Sequence, residues 1–345
     1  MDYLRMSYSS GNTFESCPRK FELDKLYIHP RQRDDAFAAD VGTALHAGYQ
    51  NYLVTRDRDE ATWAFLQKYP FKLEFMEVND YRSCEASLAT LEAMFDSTQM
   101  SDYVLAEIRR PLTAEERAEN KAVLDAKPEG FLPDSYNFIL PHDPHGKIVP
   151  AIEVPFEIRF EGIELPPTPK YPNGCGVAFT GYMDAIMRNL LTDMYRTTDI
   201  KTHRDNVKDR TAKYKFDSQQ VPYGIVVDHV AGVPVEEFEV LYYDCKIDII
   251  EPQVKLYNFL KKKSDVQEWL LTRVMQMQDI ARYAQADFFP RTSGGCMFYN
   301  RPCRYLEPCI SRDQVVLNQW FTMGDTEVKE EPWEPWVVTT INPFG

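Results

Sequence analysis

Gly181 to Lys201, GYMDAIMRNLLTDMYRTTDIK, reads as two strands. The first ends near Asp184, inside an apolar patch of Phe179, Tyr182, Met183, Ala185 and Ile186. The second runs through Met194 and Tyr195 to Asp199-Ile200-Lys201. Side chains alternate faces along a strand, so Asp199 and Lys201 point one way and Ile200 points into the core. Paired as a hairpin, the strands bring Asp184 beside Asp199. Two carboxylates on one spot repel each other, and a hard divalent cation held by oxygen ligands relieves that repulsion. A lysine one pleat along would orient an attacking water or offset phosphate charge. The combination suits metal-assisted hydrolysis of a phosphodiester.

The composition around this hairpin narrows the class. With 345 residues the chain can build one large or two modest domains with a real core. Its hydrophobic share of 44% and aromatic share of 13% suit a globular protein. No apolar run approaches the roughly 20 residues that cross a bilayer, and MDYLRMSYSS lacks an apolar secretory core. Seven cysteines, an odd count without a secretion signal, favour reduced thiols or metal ligands over a disulfide framework. The net charge of −14 argues against a protein that coats nucleic acid nonspecifically. A local basic groove remains compatible with it.

Upstream, residues 7–27 predict a short helix capped by Ser7 or Ser10, with Phe14, Phe21, Leu23 and Leu26 on its apolar side. Cys17, taken alone, reads as a small buried hydrophobe. Asp40 would cap a second helix with Leu45, Tyr49 and Leu53 on one stripe; His46 shares its side with Gln50. A histidine there is ordinarily packed or hydrogen-bonded. Residues 57–130 read mostly as helix without a motif, interrupted by Pro70, Pro111 and Pro128, with Cys84 in the core. From 131 to 180 the pattern turns to strand, with YNFIL and IVPAIEVPFEIRF on either side of the solvated turn His142-Asp143-Pro144-His145-Gly146. Glu153 lies on the strand leading toward Asp184, and Cys175 follows in a Pro/Gly-rich loop as a free thiol.

Downstream, residues 201–215 hold six Lys/Arg against two Asp. Such runs are ordinarily solvated loops. Beside the hairpin of an acidic chain, Arg204, Lys208, Arg210, Lys213 and Lys215 would guide phosphates. Gln219 and Tyr223 are four residues apart and share one face if helical, although Pro222 fits only a first helical turn. Cys245 reads as core. Residues 264–286 form the clearest helix, capped by Ser264, with Val266, Trp269, Leu270, Val274, Met277, Ile280 and Ala281 as its stripe. Cys296, Cys303 and Cys309 then fall within 14 residues, a soft-metal ligand loop. Their spacing matches no common zinc-finger signature, and Cys17 is the natural fourth ligand. The acidic tail, residues 311–345, is either disordered or docked through Trp333 and Trp336, on a partner or on its own body.

Gly181-x-x-Asp184 followed by Asp199-Ile200-Lys201 resembles the PD-(D/E)XK nuclease superfamily. Gly42-x-x-x-His46, Gln219-x-x-x-Tyr223 and Cys17-Pro-Arg-Lys-Phe21 with the three late cysteines resemble its RecB-type branch, which includes CRISPR-associated and phage exonucleases. The resemblance spans residues 7–309 apart from 50–150. It implies an α/β restriction-endonuclease-like core, a mixed sheet flanked by helices, with a helical insertion. It further implies Mg2+ or Mn2+ held by His46, Asp184, Asp199 and the Ile200 carbonyl, with Glu153 a further candidate ligand. Lys201, Gln219 and Tyr223 would complete the catalytic set with the two aspartates. Cys17, Cys296, Cys303 and Cys309 would hold a 4Fe–4S cluster, or structural zinc, that fastens the two ends of the chain.

The expected units are 1–56, N-terminal helices; 57–130, the helical insertion; 131–263, the nuclease core; 264–310, the long helix and cysteine loop; and 311–345, the tail. The expected function is a DNA exonuclease on single-stranded ends, without a membrane, in the cytoplasm (that of a bacterial host if phage-encoded). The alternatives are a DNA-binding or assembly subunit that works only with a helicase, recombination, replication or integration partner, and a zinc-stapled α/β protein without a nucleic-acid role.

Overall fold

A computed structural model of the chain describes residues 2–27, 37–71, 82–98, 102–125, 140–204, 209–298, 301–311, 313–321 and 333–343. The elements begin with β1 (Tyr3–Met6), α1 (Tyr8–Ser16), α2 (Pro18–Lys25), α3 (Phe37–Thr55), α4 (Arg58–Lys68) and α5 (Cys84–Ser97). β2 (Tyr103–Leu105), β3 (Glu107–Arg110), α6 (Ala114–Asp125) and β4 (Lys147–Pro150) lead into β5 (Ile152–Leu165), β6 (Cys175–Asn189) and β7 (Tyr195–His203). Then come α7 (Thr211–Lys215), α8 (Tyr223–Ala231), β8 (Glu237–Lys246), β9 (Gln253–Lys262) and α9 (Lys263–Gln285). The chain closes with β10 (Met297–Phe298), β11 (Arg301–Pro302), α10 (Leu306–Ser311), α11 (Gln314–Trp320) and β12 (Val337–Ile341).

Eight strands form one mixed sheet in the order β12-β5-β6-β7-β8-β9, with β1 and β2 added along β6. β5, β6 and β7 are antiparallel neighbours. β7 and β8 run parallel, a pairing that needs a crossover, and α7 and α8 supply it. β6 is buried along most of its length, as expected of a strand covered on both faces. One core holds the α8 and α9 side, including Phe179, Val226, Trp269 and Met277. The other holds Leu45, Tyr49, Leu53, Ile200 and Tyr243, beneath α3 to α5. The functional hairpin therefore lies in the middle of the sheet, between two apolar layers.

Several local expectations change. The helix expected over 7–27 is two helices broken at Cys17, whose extended backbone (φ −163°) precedes Pro18 at the first helical position. Asp40 lies in the first turn of α3 rather than ahead of it. Residues 103–110 of the helical stretch are strands, and β2 joins the main sheet. α9 starts one residue before Ser264, with the Asp265 carboxylate accepting the Lys262 N–H at 2.8 Å. Cys175 lies buried in β6, not in the preceding loop. YNFIL lies almost wholly outside the described residues. The tail docks on its own body: β12 pairs in parallel with Phe156–Phe160. Trp336 N–H donates to the Pro155 carbonyl at 2.8 Å, and Trp333 meets Tyr182 edge-on at 5.2 Å.

Candidate active site

The hairpin is closed by an Asx turn. The Asn189 side chain accepts from the N–H groups of Leu191 (2.9 Å) and Thr192 (3.0 Å), and Asp193 takes a positive φ of 62°. The register from Arg188 with Tyr195 to Ala185 with Thr198 carries on to set Asp184 opposite Asp199. The Asp184 carboxylate accepts the Ile200 N–H at 3.3 Å.

α3 delivers His46 to the same point. Val41, Ala44, Leu45, Tyr49 and Leu53 pin the helix to the sheet. His46 Nε2 then lies 3.2 Å from the Ile200 carbonyl, and Nδ1 lies 3.4 Å from Asp184 Oδ2. Burial alone would lower the imidazole pKa, but Asp184, with Asp199 and Glu153 behind it, raises it to about 9. Glu153 completes the cluster: ligand atoms of His46, Glu153 and Asp184 lie within 4.8 Å of one another. Its backbone sits at φ +48°, a left-handed conformation that costs a non-glycine residue on the order of 1–3 kcal/mol. Gln50 fixes the side chain by donating to Glu153 Oε1 at 2.5 Å. Burial raises the Glu153 pKa, with Asp184 adding to it against the Gln50 bond. One imidazole and converging carboxylates are hard donors, the set that Mg2+ or Mn2+ takes.

Asp199 stands next to that trio, outside the close group of three, and pairs with Lys201. The ammonium lies 2.8 Å from Asp199 Oδ2 and donates to Gln219 Oε1, also at 2.8 Å. Gln219 Nε2 donates in turn to Asp199 Oδ1 at 3.3 Å. Burial pushes the Asp199 pKa up, against the pull of Lys201 and with Asp184 adding. Lys201 stays above its ordinary value because Asp199 outweighs the cost of its burial. The Gln219–Tyr223 helix is corrected: α8 begins only at Tyr223, Pro222 is its N-cap, and Gln219 belongs to the preceding turn. Tyr223 is buried under the site, its hydroxyl donating to the Tyr182 carbonyl at 3.1 Å. The sequence reading missed Asp217, which accepts from Gln219 N–H at 2.9 Å and from the Tyr8 hydroxyl at 3.0 Å.

In the basic segment, Arg210 donates to the buried Asp244 at 2.9 Å. That contact commits part of the Arg210 guanidinium to the protein. Lys213 and Lys215 are exposed, as is Arg204, and Lys208 lies outside the described residues. Asp244 was also missed. His203 and the Tyr214 hydroxyl reach the same carboxylate oxygen at 3.0 and 2.7 Å.

The four cysteines are free thiols, Cys17 buried and the others half-buried. Gly295 abuts Cys17 so closely that a Cβ there would lie 2.7 Å from the Cys17 Cβ. Cys303 N–H donates to the Cys296 carbonyl at 2.8 Å. Cys309 is raised by burial, partly offset by Arg291 and Arg19, with Cys17 and Cys296 adding. Among the described residues no three thiols form the close group that a single ion takes. Thiolate sulfur is the donor that an iron–sulfur cluster takes, and four such side chains lie at the two ends of the chain. Protein contacts already join the two ends: Arg19 N–H to the Pro290 carbonyl (3.1 Å), Tyr305 hydroxyl to Asp24 (2.7 Å), and Tyr27 against Phe321.

A sheet of this topology around paired acids and a lysine defines a metal-dependent nuclease class, and sequence comparison agrees. The profile of the PD-(D/E)XK nuclease superfamily matches residues 5–310, and the chain belongs to that superfamily. No curated protein matches the sequence. Among solved structures, a candidate exonuclease from Eubacterium rectale is similar with a TM-score of 0.39 and 13% identity, over 90% of this chain and 88% of that one. Among the described residues no helix is long and apolar enough to cross a membrane.

Proposed function

We propose that the chain is a metal-dependent DNA exonuclease of the RecB-type branch, acting on single-stranded ends. The observation that carries this reading is the meeting of His46, Asp184 and Ile200 at one spot, with the Asp199–Lys201 pair on the adjoining stretch of the same strand, through contacts of 2.8–3.4 Å. Mg2+ or Mn2+, held by His46, Asp184, Asp199 and the Ile200 carbonyl with Glu153 in reach, would supply Lewis acidity at the scissile phosphate. Lys201 would position the attacking water and offset charge growing on the phosphate oxygens. Asp199 and Gln219 hold its ammonium for that task. Tyr223 supports the backbone at Tyr182, and Arg204, Lys213 and Lys215 lead the strand in. Cys17, Cys296, Cys303 and Cys309 would hold a 4Fe–4S cluster, with zinc as the alternative. On this reading the protein works in the cytoplasm, that of a bacterial host if phage-encoded, and a recombination or replication partner supplies its DNA ends.

The test is cleavage of end-labelled linear and circular single-stranded DNA with Mn2+, beside Lys201→Ala. Degradation of the linear form alone, lost in the variant, is expected. Wild-type protein that binds DNA yet leaves both forms intact would favour the assembly-subunit reading. Protein purified without oxygen should be brown, and colourless protein carrying one zinc would displace the cluster.

A further inference from the structure

Beside the site lies a cleft of about 840 Å3 between α1, the segment after α7, β9 and α9. Its near wall continues from the site. Asp217 and Ser218 line it, Asp217 holds the Gln219 N–H, and Gln219 holds Lys201. Two residues of this wall depart from ordinary packing. Phe216 is 80% exposed, where a ring of that size is usually covered. Lys261 is only 7% exposed, and its ammonium donates to the Lys215 carbonyl at 2.9 Å. Among the described residues Lys261 forms no ion pair. A buried cation with only a carbonyl for a partner retains unused capacity for an anion. Burial lowers its pKa, while Asp265 and Asp217 oppose that.

Four acids line the cleft: Glu15 pairs with Arg273 at 3.4 Å, Asp217 accepts from Tyr8, Asp265 accepts the Lys262 N–H, and Glu268 makes no side-chain ion pair among the described residues. Lys215, by contrast, places its ammonium 6.0 Å from the Phe216 ring centroid. An exposed ring with one ammonium over it and a second at the carbonyl of the preceding residue offers partners for the two halves of a nucleotide, a flat base and a phosphate.

We propose that this wall is a nucleotide subsite: one base of the substrate strand lies on Phe216, and the adjoining phosphate is held by Lys215 and Lys261. The inference rests on the nuclease reading and deepens it. Because every base has a π face, the subsite would grip a single strand without reading its sequence. A duplex, whose bases are already stacked, could not use the ring.

Anisotropy of a fluorescein-labelled oligothymidylate, measured with the full chain in EDTA, tests this without cleavage. Phe216→Ala should weaken binding about tenfold, with the salt dependence unchanged, and Phe216→Trp should restore it. Lys261→Met should flatten the slope of log K against log salt by about 0.7. An oligonucleotide of abasic residues should bind wild type and Phe216→Ala equally. Wild-type protein that binds and cuts DNA while both variants bind like wild type overturns the subsite and leaves the nuclease reading standing. Wild-type protein that neither binds nor cuts overturns both. Circular dichroism of each variant separates lost folding from lost binding, and Phe216, being exposed, keeps the test open if Lys261→Met fails to fold.

Discussion

Replacing Asp244 with Asn should destabilise the protein by about 3 kcal/mol. The carboxylate is fully buried on β8, directly beside Lys201 in the β7–β8 register. One of its oxygens accepts from the Tyr214 hydroxyl (2.7 Å), Arg210 (2.9 Å) and His203 (3.0 Å). Removing one partner of a buried ion pair costs roughly 3–5 kcal/mol, because the other charge is left uncompensated. Arg210 keeps 22% side-chain exposure, so water recovers part of that loss and the lower end applies. Unfolding entropy near 2.1 cal/mol/K per residue over 345 residues is about 0.7 kcal/mol/K, so the midpoint should fall about 4 °C. Tyr214→Phe removes one charge-assisted bond, worth roughly 1.5–3 kcal/mol, and should shift it by about half as much. Calorimetry reads both values. Asp244→Asn in an Arg210→Met background should cost clearly less than in wild type, because the two are coupled. Additive losses, or a midpoint shift below about 1 °C, would refute the argument. The consequence reaches the site, since the segment clamped by Asp244 runs on to Gln219.

Metal-free protein should lose stability as pH rises through 9. His46 is held at about 9 against an ordinary value near 6.5. The raised pKa contributes about 3 kcal/mol at 1.36 kcal/mol per unit, in full below pH ~6.5 and lost above ~9. Urea unfolding in EDTA should show this slope for wild type and not for His46→Gln, and parallel curves would sink the idea. Glu153→Gly should relieve the left-handed backbone at φ +48°, raising the unfolding free energy from urea titration by about 1 kcal/mol after loss of the Gln50 bond. Calorimetric titration should show the same variant binding Mn2+ more weakly, and unchanged affinity would remove Glu153 from the metal group. Gln219→Ala should leave folding intact and lower kcat about tenfold by freeing the Lys201 ammonium. An effect on KM alone would reassign Gln219 to strand binding.

The hairpin was legible because its chemistry is local. Alternation along β7 sets Asp199 and Lys201 on one face, and a single turn sets Asp184 opposite. Pro222 marked the place where a shared Gln219–Tyr223 helix was in doubt, since it fits only a first turn, and α8 indeed starts just after it. The tail was harder: its acidic stretch suggested disorder, yet Val337–Ile341 is the β-branched run of an ordinary strand. His46 needed the family pattern, because nothing within α3 announces that its imidazole meets a carbonyl 154 residues away.

What stayed hidden shares one physical feature. Alternation gives the direction of a side chain but not its partner, and buried polar groups are defined by their partners. Glu153 finds Gln50 across 103 residues, and Asp244 gathers donors from the end of β7, the start of α7 and the α7 helix itself. A carboxylate in the middle of LYYDCK was nonetheless a readable signal. A buried strand admits a charge only where several donors converge on it, so the acid implied a clamp before its partners were known. The same reasoning separates the two carboxylate groups on this sheet. Three donors, Arg210 among them, reach one oxygen of Asp244 and offset its charge without an ion, although its other oxygen has no hydrogen-bond partner among the described residues, whereas His46, Glu153 and Asp184 bring two carboxylates against one imidazole, with ligand atoms within 4.8 Å of one another. That imbalance is what a divalent cation would remove.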